Sequence, residues 1–277
     1  QSAGSGLRKI LGVIDTPIMI PDPVDGTRLP DRSLRVEFGG VSFHYPDGPD
    51  ILKHIDVHIP AGQRVAVVGE TGSGKTTFAK VATRLLEPQT GYVSVGGVPV
   101  DEVPFDSLRS QIAYVPQEGF LFDASVSDNV RYGKPGVGDD EVRRVFEDLG
   151  LLEWVDSLSD GVDTSVGELG GSLSAGERQL VALVRAWIGD PSVLVLDEAT
   201  SAVDPALEVQ IRNAIEQVTR GRTSITVAHR LSTAEASDRI LVFDDGEIVE
   251  DGSHTDLLAQ GGVYASMHED WEGSTRG

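Results

Sequence analysis

Gly69-Glu70-Thr71-Gly72-Ser73-Gly74-Lys75-Thr76 decides how this 277-residue chain folds. Before it stands Val65-Ala66-Val67-Val68, an apolar run that reads as a buried parallel strand. After it, Thr77 to Leu86 carries apolar residues at helical spacing until Pro88 ends the run. Strand, glycine-rich loop and helix is the setting in which G-x-x-x-x-G-K-T binds phosphate. The glycines let successive backbone N–H groups turn toward one anion, and the helix start adds partial positive charge. Lys75 is then placed to reach the β- and γ-phosphate oxygens, and the Thr76 hydroxyl to ligate Mg²⁺. Gly69 through Thr76, with Thr77 directly after, are therefore the first candidate contacts of a nucleoside triphosphate.

Bulk composition narrows the class. Hydrophobic content of 39% and charged content of 24% are those of a soluble globular protein. There are 23 basic and 44 acidic residues, a net charge of −21, which argues against a nucleic-acid partner. The five lysines are Lys9, Lys53, Lys75, Lys80 and Lys134, so one inside a phosphate loop stands out. Absence of cysteine excludes disulfides and thiolate metal sites. No apolar run approaches the roughly 20 residues that span a bilayer, so no direct membrane insertion is expected.

Outward from the loop, the chain changes character three times. Residues 1–33 hold a short amphipathic piece, Leu7 to Ile14, and a Pro- and Asp-rich tract from Pro17 to Pro30 that reads as an extended linker. The folded domain is expected over residues 34–269. It opens with strand-like Leu34 to Phe38, Val41 to Tyr45 and Ile55 to Ile59. A hairpin follows around Gly96-Gly97, then a buried strand Ile112 to Val115. Helical periodicity dominates from about 120 to 188, as in Asp139 to Leu149, Leu151 to Leu158 and Ser174 to Ile188. Strands and helices then alternate: Val193 to Leu196, Pro205 to Val218, Thr223 to Val227 and Arg239 to Phe243. This alternation predicts an α/β parallel-sheet core, preceded by an antiparallel part and interrupted by a helical insertion. Residues 270–277 read as a polar, mobile tail.

Val193-Leu194-Val195-Leu196-Asp197-Glu198 is the second constellation. Four apolar residues make a buried strand, and two carboxylates appear where it emerges, the end at which such sheets hold ligands. Asp197 is suited to hold Mg²⁺, and Glu198 to accept a proton from water attacking the γ-phosphate.

Further motifs now carry a family resemblance over most of the chain. Leu173-Ser174-Ala175-Gly176-Glu177-Arg178-Gln179 resembles the signature loop of ATP-binding-cassette (ABC) ATPases. Ser201-Ala202-Val203-Asp204 resembles the D-loop, Gln117 the Q-loop glutamine and His229 the switch histidine, all in the family's order. The resemblance implies the ABC ATPase fold, a RecA-like P-loop NTPase core, with ATP and Mg²⁺ as cofactors. It implies that Gln117 completes the Mg²⁺ and water shell and that His229 contacts the γ-phosphate. Tyr45 matches the aromatic that stacks on adenine; Phe43 is the rival, which strand alternation sends toward the core. The resemblance also implies a head-to-tail dimer in which Ser174, Ala175, Gly176, Glu177 and Asp204 of one domain complete the nucleotide site of the other. Ala175 stands where glycine is common, which adds a methyl near the phosphate.

Val166-Gly167-Glu168-Leu169-Gly170 and Asp197-Glu198-Ala199-Thr200-Ser201 resemble exporter-type members. Gln1 to Pro30 looks like the tail of a last transmembrane helix and its linker. The chain, which has no initiator Met, thus reads as a piece of an exporter: an ATPase domain working with transmembrane domains at the cytoplasmic face of the cell membrane. Its partner is a second nucleotide-binding domain, in a homodimer or a heterodimer. An importer's ATPase subunit is the nearer rival; a DNA-repair or translation ATPase is opposed by the acidic charge.

Overall fold

Along Val193–Asp197 successive side chains enter different hydrophobic clusters. Val193 and Val195 go to one, and Leu194 and Leu196 to the other. Val65 and Val67 likewise part from Ala66 and Val68. Strands covered on both faces need apolar residues at every position, which is why these runs show no polar alternation.

In the computed structural model, residues 18–31, 34–117, 119–197, 204–228 and 230–275 are described. The order is β1 (Val36–His44), β2 (Asp50–Ile59), β3 (Arg64–Gly69), α1 (Lys75–Ala82), β4 (Thr90–Val95), β5 (Val98–Pro99), α2 (Phe105–Gln111) and β6 (Ile112–Val115). The helical region contains α3 (Val126–Arg131), α4 (Asp139–Asp148), α5 (Leu152–Asp156) and α6 (Ala175–Ile188). Then come β7 (Val193–Asp197), α7 (Pro205–Thr219), β8 (Thr223–Val227), α8 (Leu231–Glu235), β9 (Arg239–Asp244), β10 (Glu247–Gly252), α9 (His254–Gln260) and α10 (Val263–Thr275).

Two sheets result, ordered β2-β1-β4-β5 and β10-β9-β3-β8-β7-β6. The first is antiparallel, and the second is parallel except for its edge strand β10. One hydrophobic cluster fills the space between the antiparallel sheet, α1 and one face of the parallel sheet. A second joins the helical region and α7 to the strands β6 and β7. A third sits under the carboxyl-terminal helices. The expected α/β architecture, with its antiparallel and helical additions, is the one observed. Parallel register brings Gly69, Val115, Asp197 and Val227 to the same edge, through the pairings Val67↔Val227, Asp197↔Val227 and Leu196↔Val115.

Both ends carry structure that composition did not report. The stretch read as an extended linker is docked on the domain from Pro21 onward. Leu29 is buried and its N–H donates to Ser107 Oγ at 2.9 Å. Arg84 donates to the Pro21 carbonyl at 2.8 Å, and Phe105 N–H to Asp22 Oδ1 at 2.8 Å. Pro- and Asp-rich composition reports an extended backbone; it does not report whether a neighbour satisfies that backbone. At the other end, Asp270 to Thr275 continue α10. Among the described residues, no helix is long and apolar enough to cross a membrane.

Candidate functional site: a phosphate cradle at the carboxyl edge of the sheet

The loop after β3 owes its shape to glycine at two points. Gly69 has φ +147°, and a Cβ there would stand 2.2 Å from the Phe243 carbonyl oxygen. Gly74 caps α1 at φ +105°, and its Cβ would meet the Ile51 carbonyl at 2.7 Å. Any side chain at either place would push the loop off the sheet. Glu70, Thr71 and Gly72 are exposed at the tip, whereas Ser73, Gly74 and Lys75 are buried.

Lys75 is held inside the loop. Its ammonium donates to the Gly69 carbonyl at 2.8 Å, the Glu70 carbonyl at 2.6 Å and Ser73 Oγ at 3.4 Å. Burial lowers its pKa, and the charges of Asp197 and Glu70 oppose that shift. A cation stripped of water among carbonyl dipoles is ready to exchange them for phosphate oxygens.

At the adjoining strand end, Thr76 Oγ1 donates to Asp197 Oδ1 at 3.3 Å. Asp197 is buried, and its other oxygen accepts from the Tyr114 hydroxyl at 3.1 Å. The Tyr114 pKa is raised, first by burial and then by the charge of Asp197, so the phenol stays protonated and donating. Gln117 lies exposed two residues beyond β6. Hydroxyl, carboxylate and amide oxygen are hard donors, a set that suits a small divalent cation.

Tyr45 follows β1 and keeps 40% of its surface exposed, while Phe43 is buried. The ring of Tyr45 meets that of Phe43 edge-on at 5.0 Å, and its hydroxyl stands 3.4 Å from Thr77 Oγ1. Of the two aromatics, Tyr45 alone offers accessible area beside the start of α1 for a base to stack on.

Ser174, Ala175, Gly176 and Glu177 occupy a different place. Ser174 caps α6: its Oγ accepts from Glu177 N–H at 3.3 Å, and Glu177 Oε2 accepts from Ser174 N–H at 2.8 Å. This capping box engages the Glu177 carboxylate within its own chain. The Ser174 hydroxyl keeps its own proton free to donate, and Ser174 and Ala175 are exposed. Among the described residues, no hydrogen bond joins Ser174 to Glu177 with the phosphate loop. Asp204 caps α7, accepting from Ala206 N–H at 2.9 Å. Glu198, His229 and Ser201 to Val203 lie outside the described residues. Their neighbours Asp197 and Ala228 are at the strand edge, where Ala228 N–H donates to the Val67 carbonyl at 3.0 Å.

Two features escaped the sequence. Tyr114 read only as a strand residue, because nothing local marks a tyrosine whose partner lies 83 positions away. Phe120, Phe122 and Tyr132 form an exposed aromatic cluster on the helical region, with Phe122 stacked on Tyr132 at 4.1 Å. Beside it is a groove of about 250 Å³ bordered by Tyr114, Phe120, Tyr132 and Arg185. Phe120-Leu121-Phe122 could have hinted at this, since only its central residue is buried.

Comparison with known proteins places this geometry. A family described as ABC transporter matches residues 52–201. An ATP-dependent lipid A-core flippase of Ralstonia nicotianae is 44% identical over 264 residues, covering 94% of this chain and 44% of that protein. An ATP-binding cassette sub-family B member 6 of Xenopus tropicalis is 43% identical over 248 residues, covering 90% of this chain and 29% of that protein. A solved structure of a bacterial Atm1-family ABC exporter with ATP bound superposes with a TM-score of 0.86 at 38% identity, covering 94% of this chain and 46% of that one. The chain thus spans less than half the length of these relatives.

Proposed function

The chain belongs to the ABC transporter family as an ATP-binding, ATP-hydrolysing domain, and we propose that it powers export through transmembrane domains by closing on a second nucleotide-binding domain around two Mg-ATP. One observation carries this reading. The Lys75 cradle and the Ser174 helix start are both built to receive an anion, yet no hydrogen bond joins them within the described residues of one chain. A facing copy, or a close relative, would bring the second to the first.

In that arrangement Lys75 and the loop N–H groups bind the β- and γ-phosphates, Tyr45 stacks on the base, and Ser174 and Gly176 of the facing domain donate to the γ-phosphate. Thr76, Gln117 and Asp197 would hold Mg²⁺, which when bound offsets charge on the phosphate oxygens. Glu198 accepts the proton of the attacking water and His229 holds the γ-phosphate. Loss of that phosphate removes the bridge and lets the domains part, a ligand-driven shift between closed and open states. The net charge of −21 argues against a nucleic-acid partner. The exposed Phe120, Phe122 and Tyr132, with Leu169 64% exposed nearby in sequence to the signature loop, are the apolar surface suited to transmembrane domains at the cytoplasmic face.

Glu198→Gln tests the reading. With ATP and Mg²⁺ the variant is expected to bind nucleotide, to lose nearly all turnover and to sediment as a dimer. The native chain should hydrolyse ATP with a rate that climbs faster than linearly in protein concentration. A nucleotide-loaded variant that stays monomeric, beside a native rate linear in concentration, would overturn it.

A further inference from the structure

Outside the nucleotide site, three helices bring one acid and two imidazoles together. Glu235 closes α8, His254 opens α9, and His268 lies in the middle of α10. One ligand atom from each lies within 4.8 Å of the others. His268 Nε2 stands 3.5 Å from Glu235 Oε1, and the rings of His254 and His268 have centroids 5.4 Å apart. We propose that Glu235, His254 and His268 form a binding site for one zinc-class divalent cation, which clamps the carboxyl-terminal helices to α8.

Distances and donor chemistry agree. Nitrogen and oxygen donors at about 2.0–2.1 Å around a tetrahedral ion stand roughly 3.4 Å from one another. The His268–Glu235 pair already has that spacing, and the third donor is within side-chain adjustment of it. Two imidazoles with one carboxylate select Zn²⁺ and its neighbours over Mg²⁺ or Ca²⁺, which prefer oxygen throughout. Three protein ligands leave a fourth position for water.

An outer partner is also in place. The hydroxyl of Tyr264 lies 2.8 Å from His254 Nδ1, and the residue is fully buried. The proposed site uses the tautomer in which His254 Nδ1–H donates to this hydroxyl, which leaves the other ring nitrogen with its lone pair for a metal. Metal-bound histidines are oriented in this way by a second hydrogen bond. Glu235 is 43% exposed on its side chain and gives an ion a way in.

The test uses the purified chain without a polyhistidine tag, stripped with chelator and titrated with zinc sulfate. One equivalent of bound zinc is expected by equilibrium dialysis with elemental analysis, with a rise in melting temperature. His254→Ala/His268→Ala should lose that equivalent and the thermal shift while keeping ATP binding. The milder pair His254→Asn/His268→Gln repeats the test if alanine unfolds the domain. Tyr264→Phe should weaken zinc binding about 10–100-fold without abolishing it. The chain has six histidines, so ring NMR of the native protein provides an independent readout. Zinc should move the signals of His254 and His268. No bound equivalent, an unchanged equivalent in a folded double variant, or shifts confined to the other histidines would overturn the proposal.

Discussion

Tyr114 donates its phenolic proton to Asp197 Oδ2 at 3.1 Å, while Thr76 donates to Oδ1 of the same carboxylate at 3.3 Å. Both oxygens of one buried acid are therefore aimed by groups from β6 and α1. Tyr114 acts as a positioning residue for whatever Asp197 holds. Tyr114→Phe removes one hydrogen bond to a charged acceptor, worth about 1.5–3 kcal/mol. We expect the Mg²⁺ concentration for half-maximal ATPase to rise about tenfold, with nucleotide affinity in the absence of metal unchanged. A variant with unaltered Mg²⁺ dependence would remove Tyr114 from this role.

Lys75 presents a linked prediction in pH. Its pKa in the folded domain lies below the ordinary 10.5, chiefly through burial. Between those two values the unfolded chain binds more protons than the folded one, so the stability of the nucleotide-free domain rises with pH across that alkaline window. Below the window the full cost of the buried charge is present. Lys75→Met should flatten the alkaline rise in urea-unfolding measurements and lower ATP affinity at least about tenfold by calorimetric titration. Wild-type affinity in this variant would contradict the phosphate cradle.

Ser174 does two jobs that different substitutions separate. Ser174→Ala removes the helix cap and should cost about 1 kcal/mol of stability. Ser174→Asp restores a capping oxygen, so its melting temperature should return close to that of the native chain. It also sets a negative charge where the facing γ-phosphate would arrive, so ATP-dependent dimerisation should be lost. Aspartate supporting normal ATPase would confine Ser174 to its capping duty.

Arg84 is buried, donating to Glu87 at 3.0 Å and to the carbonyls of Val103 and Pro21 at 3.1 and 2.8 Å, and it lies over the Phe105 ring at 4.9 Å. Arg84→Met keeps the apolar stem and removes every one of these hydrogen bonds. We expect a loss of about 2–4 kcal/mol in urea unfolding. Limited proteolysis should then cut between residues 21 and 31, which stay protected in the native chain. Unchanged protection would mean that Leu29 alone anchors that segment.

Much of the site was legible because its signals are local. The glycines at 69 and 74 mark backbone that other residues cannot adopt, and the apolar runs before Gly69 and Asp197 mark strands covered on both faces. Alternation puts Phe43 and Tyr45, two positions apart, on one strand face; what separates them is that β1 ends at His44, leaving Phe43 buried and Tyr45 accessible. Glu177 shows what such reading leaves open. A signature motif does not say which of its members point outward, and here the carboxylate turns back onto Ser174 N–H.

The order of elements, the cradle at Lys75 and the carboxylate at Asp197 follow from the amino-acid sequence alone, since backbone permissiveness and hydrophobic periodicity act over a few residues. Tertiary structure alone decided that Tyr114 would aim Asp197, that Pro21 and Leu29 would dock, and that Glu235, His254 and His268 would meet. These pairings depend on strand order and on helices packing across a shared core. Partners 83 positions apart, as Tyr114 and Asp197 are, leave no periodic trace in the chain that carries them.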